Sequence, residues 1–125
     1  LEILGRIVST SVQGCKADTM GLGPIGASQK ALARANLSIK DIDIVELNEA
    51  FASQSLACIK DLQINPSKVN LDGGALALGH PLGATGARIT GKVAQLLKRE
   101  NKKYALASQC IGLGMGIATI IESVD

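Results

Sequence analysis

The chain has 125 residues, which suits one domain with a single buried core and predicts no second domain. Its 13 lysines and arginines against 11 acidic residues give a net charge of +2, too small to indicate binding to nucleic acid or to an anionic membrane. Hydrophobic residues make up 46% of the chain but aromatic residues only 2%, a composition typical of buried strands packed against helices. The chain begins at Leu1 without a methionine, so we expect it to be a piece of a longer protein.

The three cysteines, Cys15, Cys58 and Cys110, are odd in number, widely spaced and not arranged in CxxC pairs. They predict neither a disulfide framework nor a zinc site, and they favour a reducing compartment, which we expect to be the cytoplasm. No signal-peptide pattern precedes the first strand. Residues 104–121 carry no charge, but polar residues and glycines interrupt the stretch, so it predicts two buried strands rather than a membrane span.

Hydrophobic periodicity and turn residues divide the chain into eight elements. In chain order they are a strand over 1–12, a helix from Pro24 to about Ala35, a strand over 41–47, a helix after Asn48, a brief strand over 69–71, a helix over 84–98, and strands over 104–109 and 117–123. This βαβαβαββ order predicts an α/β fold with a mixed five-stranded sheet, because right-handed crossovers place helices on both faces of a mostly parallel sheet and the terminal hairpin adds one antiparallel strand.

The only histidine, His80, lies in a segment, 73–88, that contains five glycines and a proline. Glycine before it and proline after it favour a turn from which the ring can project into a cleft. Neutral imidazole can accept and return a proton near neutral pH, so His80 is a candidate general base. The alternative is a turn histidine bonded to a carbonyl, and the surrounding glycines favour the functional interpretation.

A second glycine turn follows Cys110, with glycines at 112, 114 and 116. The thiol would lie at the carboxyl end of a strand, where open α/β sheets usually bind ligands, and it could act as a base or nucleophile once ionised. A free thiol titrates near ~8.5, so a helix amino end or a histidinium would be needed to supply thiolate. Gly112 leaves its backbone N–H uncovered, as an oxyanion hole requires, although a tight hairpin would explain the same glycines.

Asn48 stands where a predicted strand ends and a predicted helix begins. A simple N-cap is the default interpretation, and the amide could also hold an ordered water toward a cleft. The segment 21–26 matches the dinucleotide pattern GxGxxG, but it does not directly follow its strand, and Pro24 lacks an N–H that pyrophosphate would need. We therefore expect no dinucleotide site there.

Taken together, the segment Asn48-Glu49-Ala50-Phe51-Ala52, the run 73–88 around Gly79-His80-Pro81, and Cys110-Ile111-Gly112 resemble the C-terminal half of the thiolases, acetyl-CoA acetyltransferases in particular. Met20-Gly21-Leu22-Gly23-Pro24 also resembles the segment that opens the first helix of that half. The resemblance covers essentially the whole chain, 1–125. Each motif alone is weakly specific, but four in order at compatible spacing are strong.

This resemblance implies an enzyme that condenses two acetyl-CoA molecules to acetoacetyl-CoA, or cleaves the product, through a cysteine that carries the acyl group. His80 would activate that nucleophile and help bind a thioester oxygen, with Asn48 contributing through a water. Cys110 would remove the α-proton of acetyl-CoA, and the Gly112 N–H would form part of the other oxyanion hole. Coenzyme A thioesters would be the substrates, no cofactor would be permanently bound, and the full-length protein would be a homo-oligomer.

Two departures from the family stand out. Leu113 occupies a position where many members have glycine. The acylated cysteine belongs to the N-terminal half of the family, and neither Cys15 nor Cys58 lies in its motif, so this chain alone is expected to be inactive. A ketoacyl-synthase half is a less favoured alternative, because such halves carry a second histidine. An orphan thiolase-like domain that only binds a partner or ligand is the other alternative.

Overall fold

The computed structural model of this chain describes residues 1–124. The strands are β1 (Arg6–Gly14), β2 (Ile44–Leu47), β3 (Tyr104–Ile111) and β4 (Met115–Glu122), and the helices are α1 (Gly23–Ala35), α2 (Ala52–Asp61), α3 (Ala75–Leu78) and α4 (Leu82–Arg99). Short 3₁₀ turns occupy Ala17–Leu22, Ile39–Asp41 and Pro66–Lys68. None of the helices within residues 1–124 is long and apolar enough to cross a membrane.

The four strands form one mixed sheet in the order β1-β4-β3-β2. Strands β2 and β3 pair in parallel, whereas β4 pairs antiparallel with β3 on one side and with β1 on the other. The strands β1, β2 and β3 therefore share one direction, and only β4 runs against them. This matches the expected mixed sheet with one antiparallel strand contributed by the terminal hairpin.

Helices cover both faces of the sheet, as the sequence predicted. On one face α1 and α2 pack on the sheet, and on the other α4 packs on β2 and β3. The first cluster is built around Ala27, Leu32, Cys58, Leu106 and Ile120, and the second around Ile44, Ile89, Val93, Leu97 and Ile121. Aliphatic side chains form both clusters, so the core follows directly from the low aromatic content.

The expected fifth strand, 69–71, does not form, so the sheet has four strands rather than five. Only a single parallel bridge joins Val69 to Val45. After this bridge, Asn70 adopts a left-handed conformation with φ of +49°. This conformation is incompatible with an extended strand, so the pairing ends there. The side-chain amide of Asn70 replaces the next backbone pairing with β2. It accepts from the Leu47 N–H and donates to the Leu47 carbonyl, both at 2.9 Å.

The β3–β4 hairpin turns through residues 112–114, and Leu113 at its tip is 96% exposed with φ of +66°. A branched side chain in the left-handed region costs roughly 1 kcal/mol, and no burial offsets that cost here. We therefore expect Leu113→Gly to stabilise the chain by about 0.5–1 kcal/mol in urea unfolding, with an unchanged m-value. Leu56→Gly, in the exposed interior of helix α2, is the control and should destabilise the chain instead. A loss of stability in Leu113→Gly would contradict the strain at this turn.

Candidate functional site

A cavity of about 500 Å³ opens at the edge of the sheet where β2 and β3 end. Three of the four site residues predicted from sequence line it, namely His80, Cys110 and Gly112. The rest of the wall is mostly apolar and consists of Met20, Ala50, Phe51, Leu82, Gln109 and Ile111. Ligand sites of open α/β sheets lie at the carboxyl ends of strands, so the location agrees with the sequence-based expectation.

His80 lies between α3 and α4, on a turn whose preceding residue, Gly79, has φ of +90°. Its Nδ1 is 2.7 Å from the hydroxyl of Thr85, which is fully buried in the first turns of α4. That hydroxyl donates its proton to the Pro81 carbonyl at 3.1 Å, so it can only accept from His80. Nδ1 is therefore the protonated nitrogen of the neutral ring, and Nε2 keeps the lone pair that a general base needs.

The role of Thr85 can be tested in the 125-residue chain because His80 is its only histidine. We expect ¹⁵N NMR of the neutral ring to show the Nδ1–H tautomer in the unchanged chain. Thr85→Val keeps the shape of the side chain but removes the hydroxyl, so both tautomers should then be populated. Thr90→Val, farther along the same helix, is the matched control and should leave the ratio unchanged. An unaltered ratio in Thr85→Val would show that the hydroxyl does not set the tautomer.

Cys110 lies near the end of β3, opposite Gly116 of β4, and is 5% exposed. Burial raises the pKa of its thiol above the ordinary value. A backbone hydrogen bond opposes this rise in pKa only partly, and no histidinium within residues 1–124 contributes, contrary to what a readily formed thiolate would require. Within this chain the group is therefore a thiol at neutral pH, able to donate a proton and to accept one only after it has lost its own.

Gly112 begins the turn of the β3–β4 hairpin and lines the cavity. The space where a side chain would project from it is open, because, apart from its two chain neighbours, no heavy atom of residues 1–124 lies within 4 Å of the point that a Cβ would occupy. Its peptide can thus face a ligand without a covering side chain. The glycine turn serves the hairpin and the cavity wall at once, so the two interpretations offered by the sequence are compatible.

Asn48 differs from the default expectation, because α2 begins at Ala52 with Phe51 as its N-cap residue. The backbone N–H of Asn48 instead donates to the Ser108 carbonyl at 2.9 Å, which extends the pairing of β2 and β3 by one residue. Its side chain is fully buried, and neither amide atom has a hydrogen-bond partner among the described residues. Asn48 is not among the lining residues, although Ala50 and Phe51 beside it are. A buried, unpaired amide is rare and costs stability, so it is a candidate for a ligand contact rather than for capping.

The buried Glu46 of β2 faces Arg88 of α4 at 4.0 Å. Burial raises the pKa of this carboxyl to about 7, and the Arg88 guanidinium only partly opposes that effect. Glu46 Oε1, Arg88 Nε and the Oε1 of Gln109 lack hydrogen-bond partners within residues 1–124. The Glu46–Arg88 pair connects β2, which precedes Asn48, with α4, which follows His80.

The other two cysteines lie outside the cavity wall. Cys58 is fully buried in the core cluster, and burial raises its thiol pKa to about 11, which agrees with its interpretation as a small space-filling residue. Cys15 follows β1, and its Sγ lies 3.8 Å from the Met20 carbonyl. All three cysteines are free.

Sequence reasoning named the histidine but missed the residue that orients it. Thr85 stands five positions after His80 in the same glycine-rich segment, and a hydroxyl one turn into the following helix was an available signal. Sequence reasoning also assigned no role to Glu49. Its carboxylate accepts hydrogen bonds from the Leu76 N–H at 3.0 Å and from the side-chain amide of Asn70 at 3.1 Å. No local sequence pattern predicts these contacts.

Comparison with known proteins places this site in a family. The family model described as "Thiolase, C-terminal domain" matches residues 1–123. The 3-ketoacyl-CoA thiolase of Vibrio parahaemolyticus serotype O3:K6 is 55% identical over 125 residues, covering 98% of this chain and 32% of that protein. That of Shewanella denitrificans is 54% identical over 127 residues, covering 99% of this chain and 33% of that protein.

Solved structures agree with these relatives. Human mitochondrial 3-ketoacyl-CoA thiolase, also solved in complex with CoA, superimposes with a TM-score of 0.97 at 52% identity, over 99% of this chain and 32% of that one. The Bacillus anthracis acetyl-CoA acetyltransferase gives 0.96 at 45% identity, again over 99% and 32%. This chain thus spans about a third of the length of the relatives that it matches. The chain belongs to the thiolase C-terminal domain family.

Proposed function

We propose that this chain is the C-terminal catalytic part of a thiolase, an acyltransferase that forms and cleaves 3-ketoacyl-CoA thioesters. The observation that carries the proposal is the meeting of His80, Cys110 and Gly112 on one largely apolar cavity at the strand ends. His80 is far from Cys110 and Gly112 in the sequence, so it is the fold that brings these residues together. Coenzyme A thioesters are the proposed substrates, without a permanently bound cofactor.

In this proposal His80 and Cys110 divide the proton transfers. The Nε2 lone pair of His80 takes the proton of a nucleophilic cysteine outside this chain. The thiolate attacks the thioester carbonyl, the carbon–sulfur bond to CoA breaks, and CoA leaves as a thiol with the proton from His80. For condensation, ionised Cys110 removes the α-proton of acetyl-CoA, and the carbanion attacks the acyl-cysteine and releases the cysteine thiolate. In the reverse direction the Cys110 thiol returns that proton to the carbanion released by carbon–carbon cleavage. The Gly112 N–H and the Asn48 amide, the latter through a water, stabilise the negative charge on thioester oxygens.

The remainder of a longer protein is the proposed partner that completes this site. Large apolar side chains are exposed at the cavity, where Phe51 and Leu82 line the wall and Leu113 follows the lining residue Gly112. Exposed apolar surface of this kind is typical of a face that another chain segment covers. The coverage of only about a third of each relative supports the same conclusion. We further propose a homo-oligomer in the cytoplasm, where the three free cysteines would stay reduced.

For the acyl chain we propose acetyl groups, so that the reaction is condensation of two acetyl-CoA molecules or thiolysis of acetoacetyl-CoA. The likeness to the Bacillus anthracis acetyl-CoA acetyltransferase supports this assignment. Longer 3-ketoacyl chains are the second candidate, supported by the names of the curated relatives and by the apolar wall of the cavity. Thiolysis rates on acetoacetyl-CoA and 3-ketooctanoyl-CoA distinguish the two.

The proposal is tested by reading the gene upstream of Leu1 and assaying the complete protein encoded there. We expect an upstream region with a nucleophilic cysteine, CoA-dependent cleavage of a 3-ketoacyl-CoA by the complete protein, and no turnover by the 125-residue chain alone. A hybrid that joins this chain to the preceding two-thirds of the Vibrio parahaemolyticus enzyme is a second route to the same measurement. A start codon at Leu1 with no partner half, or an inactive complete protein that merely binds CoA, would overturn it.

A further inference from the structure

Two loops bring the candidate site together, and one carboxylate joins them. The first loop follows β2 and carries Asn48, and the second contains α3 and carries His80. Glu49 belongs to the first loop, yet its Oε2 accepts the N–H of Leu76, in the first turn of α3, at 3.0 Å. This contact spans 27 residues of sequence.

The other carboxylate oxygen is fixed as well. Oε1 of Glu49 accepts from the side-chain amide of Asn70 at 3.1 Å. The same amide is bonded to both backbone groups of Leu47, the last residue of β2. Asn70 therefore fixes Glu49 to the end of β2, and Glu49 in turn bonds the His80 loop. Each carboxylate oxygen accepts from a different donor.

The backbone of the second loop is shaped to receive this carboxylate. Gly74 is buried, and a Cβ atom there would overlap the Glu49 carboxylate and the Asn70 amide. The N–H of Leu76 is within reach only because the chain approaches so closely at this glycine. From Leu76 a single helical turn, closed by a 2.8 Å bond from the Gly79 N–H to the Ala75 carbonyl, leads directly to His80.

Within residues 1–124, the bond with Glu49 is the one side-chain hydrogen bond that reaches residues 75–79. Residues 76–79 are exposed, and α3 has only four residues, too few to be stable alone. At its far end the histidine ring is tied to Thr85, and at its near end Glu49 ties the first turn of α3 to the Asn48 loop. Glu49 does not line the cavity, so it would act through other residues.

We propose that Glu49 is a positioning residue that sets the distance between the Asn48 and His80 loops, so that the two act on the same substrate oxygen. This inference rests on the proposed thiolase function for its catalytic consequence, but its structural part stands independently. A displacement of about 1 Å in a reacting group can cost on the order of 100-fold in rate, which sets the scale of the expected effect.

The first measurement uses the 125-residue chain and requires no activity. Glu49→Gln keeps the size of the side chain but replaces one acceptor oxygen with an NH₂ group, which cannot accept from either donor. We expect the Leu76 amide to exchange with solvent about 10-fold faster, since one neutral oxygen must then serve two donors and accepts more weakly than a carboxylate. Asp72→Asn is the matched control, because Asp72 lies in the same loop and is ion-paired with Arg99 and Lys92 rather than with α3. Unchanged exchange in Glu49→Gln, or equal acceleration in the control, would overturn the contact.

The second measurement uses the complete protein at a temperature where both variants are fully folded. We expect Glu49→Gln to lower kcat by about 10- to 100-fold with KM for CoA within twofold, and Asp72→Asn to leave both unchanged. A merely structural role would lower Tm while preserving kcat, and that outcome would overturn the proposal. If Glu49→Gln does not fold, Glu49→Asp applies the same test, because its carboxylate is one methylene shorter and cannot reach both donors. An inactive unmutated protein would refute the proposed function but not the loop contact.

Discussion

Replacing His80 with alanine in the complete protein should abolish both halves of the reaction. Without Nε2 the nucleophilic cysteine loses its general base, so exchange of labelled CoA with acetyl-CoA, which needs only acylation and deacylation, should fall with condensation. General acid–base groups contribute 10²- to 10⁴-fold, and we expect a loss of about 10³-fold in kcat/KM, or roughly 4 kcal/mol. The assays are isotope exchange and thiolysis of acetoacetyl-CoA.

The fold should survive this substitution, because His80 is only half-buried and contacts α4 through a single hydrogen bond. Circular dichroism and a Tm within a few degrees of the unmutated protein would establish this. Gln95→Ala, an exposed polar position on α4, is the matched control and should retain activity. CoA exchange within tenfold of the unmutated rate in His80→Ala would reject the assignment of His80 as the base for the nucleophile.

Cys110→Ala should separate the two halves of the reaction. The α-proton of acetyl-CoA would have no acceptor, so condensation and deuterium incorporation into acetyl-CoA from D₂O should each fall by about 10³-fold. Acylation does not involve this proton, so CoA exchange should stay within tenfold of the unmutated rate. The opposite pattern, lost exchange with preserved deuterium incorporation, would reverse the roles of His80 and Cys110.

Cys15→Ala is the matched control, since this cysteine lies outside the cavity wall and should be dispensable. The raised pKa of Cys110 adds a pH test in the chain itself. The thiolate is the form that reacts with iodoacetamide, so alkylation of Cys110, followed by mass spectrometry of its peptide, should rise about tenfold per pH unit from pH 7 without levelling below pH 9. A plateau near pH 7 would show that the thiol is ionised and that burial does not govern it.

Much of the fold could be predicted because its signals are local. The aliphatic runs of β3 and β4 and the periodic hydrophobic residues of α4 are recognisable in the sequence, and the connecting glycine turns are short. The prediction of a fifth strand was wrong because a contact with a distant residue prevents that strand from forming. Asn70 leaves the strand conformation and lets its side chain bond Leu47, which lies 23 residues earlier. The N-cap expectation for Asn48 was wrong for a similar reason, since pairing with Ser108 extends the strand and delays the helix.

The family and most of the elements could be inferred from the order of amino acids alone, and three of the four predicted site residues lie on one cavity. Cys110 and Gly112 could be named because a glycine turn after a buried segment predicts a strand end, where open α/β sheets bind ligands. His80 could be named because glycines and a proline surround the only histidine and predict a turn. Three further features emerge only when the chain is folded: which nitrogen of His80 is free, the burial of Cys110 as a thiol, and the joining of two loops by Glu49. Each of these depends on contacts between residues distant along the chain or on exclusion of water, and neither quantity is encoded in a local pattern of residue types.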